Sequence, residues 1–203
     1  MGITLAIQMY MSLLRSYIFL LFIVFPLFGN GAELCSQIFQ NDFHVWVERY
    51  ENGDKENLVQ FITNVRKSIG VDTNYTADGR FLFVDLEEPM KYYGPDRGEL
   101  FVVRGEHGEI LGSIGYSKIE PGVCELKKVY LDSSLRGRGL AEKLLTEMIN
   151  RATQSGFKKM ILQTNSRMTN AIGLYLKLGF EKMPDKEALN STAIYYYLNL
   201  TEN

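Results

Sequence analysis

The sequence predicts a mixed α/β domain: a mostly antiparallel central sheet with helices on both faces. Three observations carry this expectation. A strand and helices come first, then a run of strands, then strand–helix alternation, an order that suits a mixed sheet covered on both sides. Two apolar stripes recur at helical spacing, one from Leu58 to Ile69 and one from Leu140 to Ala152. The second stripe begins directly after a strand ending at Leu131, through a turn that holds the two glycines of Arg136-Gly-Arg-Gly139. A chain of 203 residues has room for one such domain and an N-terminal appendage.

That appendage is expected to be a targeting segment. Ser16 to Phe28 is almost wholly apolar, Arg15 stands before it, and Gly29-Asn-Gly-Ala32 follows. A charge, an apolar stretch of ~7–15 residues and a small-residue exit describe a secretory signal. Residues 1–32 are therefore expected to be a signal peptide or N-terminal membrane anchor, with membrane contact through residues 16–28, and 33–203 the folded domain. The expected location is secreted, periplasmic or membrane-anchored if this segment is used. It is cytoplasmic if the start site is internal or misassigned; a start at Met9 or Met11 keeps the apolar run and reads as a compact signal peptide.

His44-Val-Trp-Val-Glu-Arg-Tyr50 alternates as a first strand. Asp54 stands where a helix cap belongs, and Leu58, Phe61, Ile62, Val65 and Ile69 form the face of the helix that follows. Residues 71–80 are polar and turn-rich. Leu82 to Tyr93 reads as short helix interrupted at Pro89. Glu99–Val103 and Glu109–Tyr116 flank a polar tip at His107 and read as a hairpin. Val123 to Leu131 is a strand with a carboxylate, Glu125, inside it. Lys158–Thr164 is a further strand, Asn165–Phe180 holds a short helix closed by Gly179, and Ala193–Leu200 is a final strand.

Composition excludes several function classes. The net charge is −2 with acids and bases interspersed, so no basic face argues for nucleic acid. His44, His107, Cys35 and Cys124 stand far apart, with no metal-ligand spacing, and no metal is expected. The glycine turn is more informative. The first amides of a helix have no internal partner and sit at the positive end of its dipole. A glycine-lined approach to them suits a phosphate or pyrophosphate. The turn lacks the Gly-Lys-Ser/Thr of a nucleotide-triphosphate loop and the third glycine of the dinucleotide fingerprint.

At Arg136-x-x-Gly139-x-Ala141 and Ala171-x-x-x-Tyr175-x-x-x-Gly179-Phe180 the chain resembles the GNAT family, the Gcn5-related N-acetyltransferases, over roughly Val45 to Leu200. The resemblance implies the GNAT (acyl-CoA N-acyltransferase) fold, whose sheet splays open where acetyl-CoA enters. It implies an enzyme that transfers acetyl from acetyl-CoA, as co-substrate, to a primary amine of a small molecule or peptide by direct attack in a ternary complex. Val129, Leu131, Arg136, Gly137, Arg138, Gly139, Leu140 and Ala141 would hold the cofactor, Glu125 would be the general base and Tyr175 the acid for the leaving thiolate. The asparagine often found seven residues before that tyrosine is replaced by Met168, so Asn165 and Asn170 are the candidates for the pantetheine arm. Tyr92, Tyr93, Asp85, Glu87 and Glu88 are candidate linings of an acceptor cleft, where acids would suit a cationic amine. The alternative is a non-catalytic acyl-CoA-binding or interaction module on the same scaffold, exported or membrane-tethered.

Overall fold

The computed structural model describes residues 45–71, 81–184 and 193–200. The expected targeting segment, Cys35, His44, most of the polar 71–80 stretch and the 185–192 loop lie outside the described residues. Among those described, no helix is long and apolar enough to cross a membrane.

Strand β1 (Trp46–Arg49) leads through a 3₁₀ turn at Asn52–Asp54 into α1 (Lys55–Ser68). Asp54 does occupy the N-cap position of α1, but its side chain does not cap the helix. It accepts from the Glu51 amide at 3.0 Å and from Arg104 at 2.5 Å, which ties the turn to a strand 50 residues further along the chain. The Pro89 interruption produces two short helices, α2 (Val84–Glu87) and α3 (Pro89–Tyr93), with Pro89 opening the second. Proline suits that first helical position because its missing N–H has no partner to lose. The hairpin is β2 (Gly98–Arg104) and β3 (Ile110–Glu120). Then follow β4 (Val123–Leu131), α4 (Leu140–Gln154), β5 (Lys159–Asn165), α5 (Thr169–Lys177), the two-residue β6 (Glu181–Lys182) and β7 (Ala193–Asn199).

The seven described strands form one sheet in the order β1-β2-β3-β4-β5-β7-β6. Every neighbouring pair is antiparallel except β4 and β5. Two apolar layers cover it. On one face α4 buries Leu140, Leu144, Leu145, Met148 and Ala152 against Cys124, Leu126, Met160 and Leu162, with Tyr175 and Phe180 joining from the α5 region. On the other, Leu58 and Ile62 of α1 and Phe83 and Leu86 around α2 pack over Leu100, Val102 and Tyr130. Each such buried leucine or isoleucine contributes about 1.5–3 kcal/mol, so the helical stripes anchor both layers.

Two irregularities shape the middle of the sheet. The parallel pairing of β4 with β5 runs only from Val123–Lys159 to Leu126–Leu162, after which no further β4–β5 pair forms. Just there, β4 carries an extra residue: Ser113 faces Tyr130, while Gly115 faces Lys127. The bulge is at Lys128, whose φ of 56° lies in the left-handed region that side chains other than glycine's rarely adopt. Without it, strict alternation would send Lys127 and Lys128 to opposite faces. With it, both ammonium groups reach Asp85 of α2 on the same face.

Candidate active site

Where β4 and β5 part, a cavity of about 120 Å³ opens through the sheet. Glu125, Lys127 and Lys128 line it from the α1–α2 face, and Leu126, Leu162, Thr164 and Tyr175 from the α4 face. The gap in pairing lets residues from opposite faces meet in one space. A second, wider depression of about 750 Å³ lies at the other end of β2 and β3, around Arg97, Lys118 and Phe157. It touches neither Glu125, Tyr175 nor the glycine turn, so the smaller cavity is the better candidate.

Glu125 pairs across the sheet with Ser117 and is 7% exposed. Its Oε2 lies 4.0 Å from Lys127 Nζ. Tyr175 is 4% exposed, with its ring edge-on to Phe180 at 5.8 Å and near Tyr196 at 6.5 Å. Burial, with the nearby Tyr130 adding to it, pushes the Tyr175 hydroxyl well above its ordinary range. The group therefore keeps its proton at physiological pH.

The glycine turn lies beyond the end of β4. Gly137 and Gly139 adopt φ values of 77° and 79°. A side-chain carbon added at either would meet no atom within 4 Å. The glycines therefore shape the backbone and leave space above it, as a cradle for a ligand requires. Gly139 stands at the N-cap of α4 without a side-chain cap, so the amides of Leu140, Ala141 and Glu142 keep the unpaired state that helix geometry gives them. Asp132 caps the preceding 3₁₀ turn through the Ser134 amide at 2.8 Å and rigidifies the approach. Arg136 is exposed and folds back on the Leu131 carbonyl at 3.3 Å, and Arg138 is exposed beside it. These residues fit a pyrophosphate.

Of the remaining cofactor candidates, Val129 lines the cavity, and Leu131 is half-buried against the α4-side core. Asn165 lines the cavity with its Oδ1 accepting from the Arg167 amide at 2.9 Å. Asn170 is exposed on α5 and does not line it. Met168 does, with its sulfur 3.6 Å from the Thr164 hydroxyl. Cys124 is fully buried on β4, and burial pushes its thiol up to about 12. His107 is exposed at the hairpin tip.

The acidic lining anticipated for the acceptor side is not what the fold builds. Asp85 is fully buried, with Lys128 Nζ 2.8 Å from its Oδ1, and Lys127 Nζ at 3.1 Å and the Tyr93 hydroxyl on its Oδ2. Burial alone would raise this carboxyl. The two lysines, with hydrogen bonds from Lys128 and Tyr93, outweigh that and hold it below its ordinary value. Lys128 is in turn pulled down by burial and supported by Asp85, and it also donates to the Leu82 carbonyl at 2.5 Å. Glu87 pairs with Lys55 at 2.6 Å and Glu88 with Lys91 at 3.1 Å. The cavity wall instead carries Arg66, Lys127 and Lys128. Of these three only Lys127 stood out in the sequence, as a possible partner for Glu125, although two adjacent lysines within a mostly apolar strand were a signal of a break in alternation.

The Acetyltransferase (GNAT) family model matches residues 72–180, more than half of the chain. An uncharacterized N-acetyltransferase of Escherichia coli strain K12 is 34% identical over 125 residues, spanning 59% of this chain and 74% of that protein. One from Schizosaccharomyces pombe is 36% identical over 98 residues, 48% of this chain and 60% of that protein. Human N-acetyltransferase 8 is 26% identical over 106 residues, and the chain spans 47% of its length. The structure of a GNAT acetyltransferase from Staphylococcus aureus superposes with a TM-score of 0.65 at 23% identity, covering 77% of this chain and 99% of the other. A Salmonella typhimurium structure with its cofactor acetyl-CoA superposes at 0.58 and 18% identity, covering 79% and 96%. The family model and the curated relatives thus define an acyltransferase of the acetyl-CoA-dependent class. The chain belongs to the GNAT family of N-acetyltransferases.

Proposed function

We propose that this chain acetylates a primary amine of a small molecule or peptide by direct attack on acetyl-CoA, with both substrates bound at the cavity between β4 and β5. The observation that carries this reading is that Glu125 and Tyr175, from opposite faces of the sheet, line the same cavity. The glycine turn and the open N-terminus of α4 follow directly from the end of β4. Several amides converging on the pyrophosphate hold the donor, since a single exposed charge at a helix terminus contributes only about 0.3–1 kcal/mol.

Glu125 takes a proton from the acceptor ammonium, directly or across one water. The neutral amine attacks the thioester carbonyl, the C–N bond forms and the C–S bond breaks. Tyr175, held neutral by burial, gives its proton to the departing thiolate, and the proton that the attacking nitrogen sheds on becoming an amide returns the tyrosine to its neutral form through solvent. Arg136 adds positive charge beside the pyrophosphate. Residues 1–32 act as a targeting or anchoring segment outside this machinery, and their removal should leave acetyl-CoA affinity unchanged.

The two side chains should fail in different ways. Tyr175→Phe removes one hydroxyl and almost no volume, so acetyl-CoA affinity should hold while kcat falls on the order of 10²–10⁴-fold. That defect should not be relieved at alkaline pH, which supplies no acid. Glu125→Gln should also bind normally, but its defect should shrink as pH rises and more acceptor is already neutral. Profiles of kcat/KM against pH for both variants, with calorimetric acetyl-CoA affinities, decide the matter. Wild-type turnover in both would leave this cavity without a catalytic role.

A further inference from the structure

The cavity that holds Glu125 offers an acceptor two kinds of surface. The first is charged and satisfied internally. Lys128 stands 2.8 Å and Lys127 3.1 Å from the two oxygens of Asp85, and Lys127 lies 4.0 Å from Glu125. Two lysines thus balance two carboxylates, and Arg66 donates to the Tyr130 hydroxyl at 3.3 Å. The second surface is apolar and open to solvent. Phe81 is 42% exposed and Val84 46%, and both line the cavity with Glu125. The other large apolar side chains that stand exposed among the described residues, such as Trp46, Ile119 and Leu176, do not line it. The local fold holds the pair at the rim. Phe81 packs edge-on against the buried ring of Phe83 at 6.0 Å. Val84 opens α2, and the next residue, Asp85, is fixed in the interior by both lysines. Consecutive helical residues point about 100° apart, so α2 cannot turn to hide Val84 without breaking that cluster.

A single exposed apolar side chain is ordinary. Two neighbours at the mouth of a cavity with a buried carboxylate stand where a ligand gains most by covering them. Small-molecule pockets are mostly apolar, with a few polar groups that fix orientation. We infer that the acceptor is a primary amine with an uncharged apolar body, its nitrogen directed to Glu125 and its body laid over Phe81 and Val84. This rests on the reading of the cavity as the acetyl-transfer site. A charged or strongly polar body would find no partner on those two side chains and would give up its water to reach them. An apolar body gains about 4-fold in affinity for each methylene it buries. Phe81 and Val84 are then specificity residues.

The test uses the full chain, acetyl-CoA and thiol release. Acceptors are compared in sets that share the amine and differ only in the body: n-hexylamine against 5-aminopentan-1-ol and 1,5-diaminopentane, norleucine against glutamine, and norleucine amide against glutamine amide. The substituted atoms are remote from the amine, so its basicity is little altered. On at least one of these three scaffolds the apolar member should exceed its polar partners in kcat/KM by on the order of 10–100-fold, the gain expected from burying a few methylenes. The double substitution Phe81→Ser with Val84→Ser should bring that ratio toward one while acetyl-CoA affinity holds, and Phe81→Leu should keep most of it. Should the double variant fail to fold, as read by a thermal melt, Val84→Ser alone should still lower the ratio several-fold. A wild-type chain that uses polar and apolar members equally on every scaffold, prefers the polar ones, or turns over none of the panel overturns the inference. So does a folded double variant that keeps the ratio, or one that loses acetyl-CoA affinity, which would assign the rim to the donor. If Glu125→Gln remains fully active while Phe81 and Val84 still govern the ratio, the assigned base is wrong and the acceptor class stands. If Glu125→Gln is inactive and the wild type shows no preference, the base stands and the acceptor class falls.

Discussion

The proposed donor and acceptor regions are built on opposite principles. The donor side is made of backbone: an exposed turn with two left-handed glycines and a helix start without a cap. The acceptor side is made of side chains: a buried carboxylate, two lysines and a tyrosine locked together behind Glu125. A backbone site depends on dihedral angles at a few positions and contributes little to the core. A buried charge cluster depends on every member being present, because a lone charge left in the interior is costly. Damage to the first should therefore appear as lost affinity in a folded protein, and damage to the second as lost stability.

The largest effect expected from this contrast is on stability. Asp85→Ala leaves Lys128 buried without its carboxylate, and breaking a buried pair by removing one partner costs about 3–5 kcal/mol. For a domain of this size that lowers Tm by roughly 10 °C, measurable by calorimetry. The double substitution Asp85→Leu with Lys128→Met should recover much of the loss, since an apolar replacement of a buried pair is often neutral. A Tm unchanged in Asp85→Ala would mean that the cluster is solvated and dispensable.

Gly139→Val tests the donor side. A β-branched residue at a φ of 79° is strained, by about 1–2 kcal/mol, and its side chain would occupy the space above the turn. No existing atom is displaced, so the fold should survive with a modest fall in Tm. Acetyl-CoA affinity should drop about 100-fold or more, as several converging contacts are lost together. Calorimetric titration beside a thermal melt separates the two readouts. A wild-type affinity would remove the turn from the donor site.

The cluster also predicts an acid limit. Asp85 is held below its ordinary carboxyl value of 3.8 in the fold. A depressed carboxyl stabilises the folded state fully above its unfolded pKa, and that contribution fades as pH falls through the folded value. Wild-type stability should accordingly decline below about pH 4, and the Asp85→Leu/Lys128→Met protein should decline less steeply over the same window. Parallel slopes would place the acid sensitivity elsewhere. The smallest effect concerns Cys124, buried and with its thiol pushed up to about 12. Iodoacetamide at mildly alkaline pH should leave the Cys124 peptide unmodified in the native protein and label it after denaturation, as read by mass spectrometry.

The glycine turn and the helix that follows it were legible in the sequence because their determinants are local. Glycine spacing, the abrupt change from strand to helix period and the stripe from Leu140 to Ala152 are all fixed by neighbours within a few residues. The same holds for the two covering helices, α1 and α4, and for the hairpin. The family-level reading rested on these segments and on the Tyr175 to Phe180 pattern. Most strand and helix ends shifted by a residue or two, β3 ran four residues past its expected end at Tyr116, and Asp54 kept its predicted position while its side chain turned to Arg104.

The buried charge cluster was not legible, and the reason is register. Asp85, Glu87 and Glu88 look alike in sequence, yet one is fully buried between two lysines and the others pair on the surface. Nothing local distinguishes them. Lys127 and Lys128 would face opposite ways in a regular strand. The bulge, imposed by pairing with β3, turns them together toward Asp85. The meeting of Glu125 and Tyr175 in one cavity likewise requires β4 and β5 to part after Leu126. Periodicity and glycine placement, being properties of consecutive residues, were determined by the sequence itself. Which charges are buried, which face they reach and what lies across the gap depend on pairings between distant segments, and only the tertiary structure decided those.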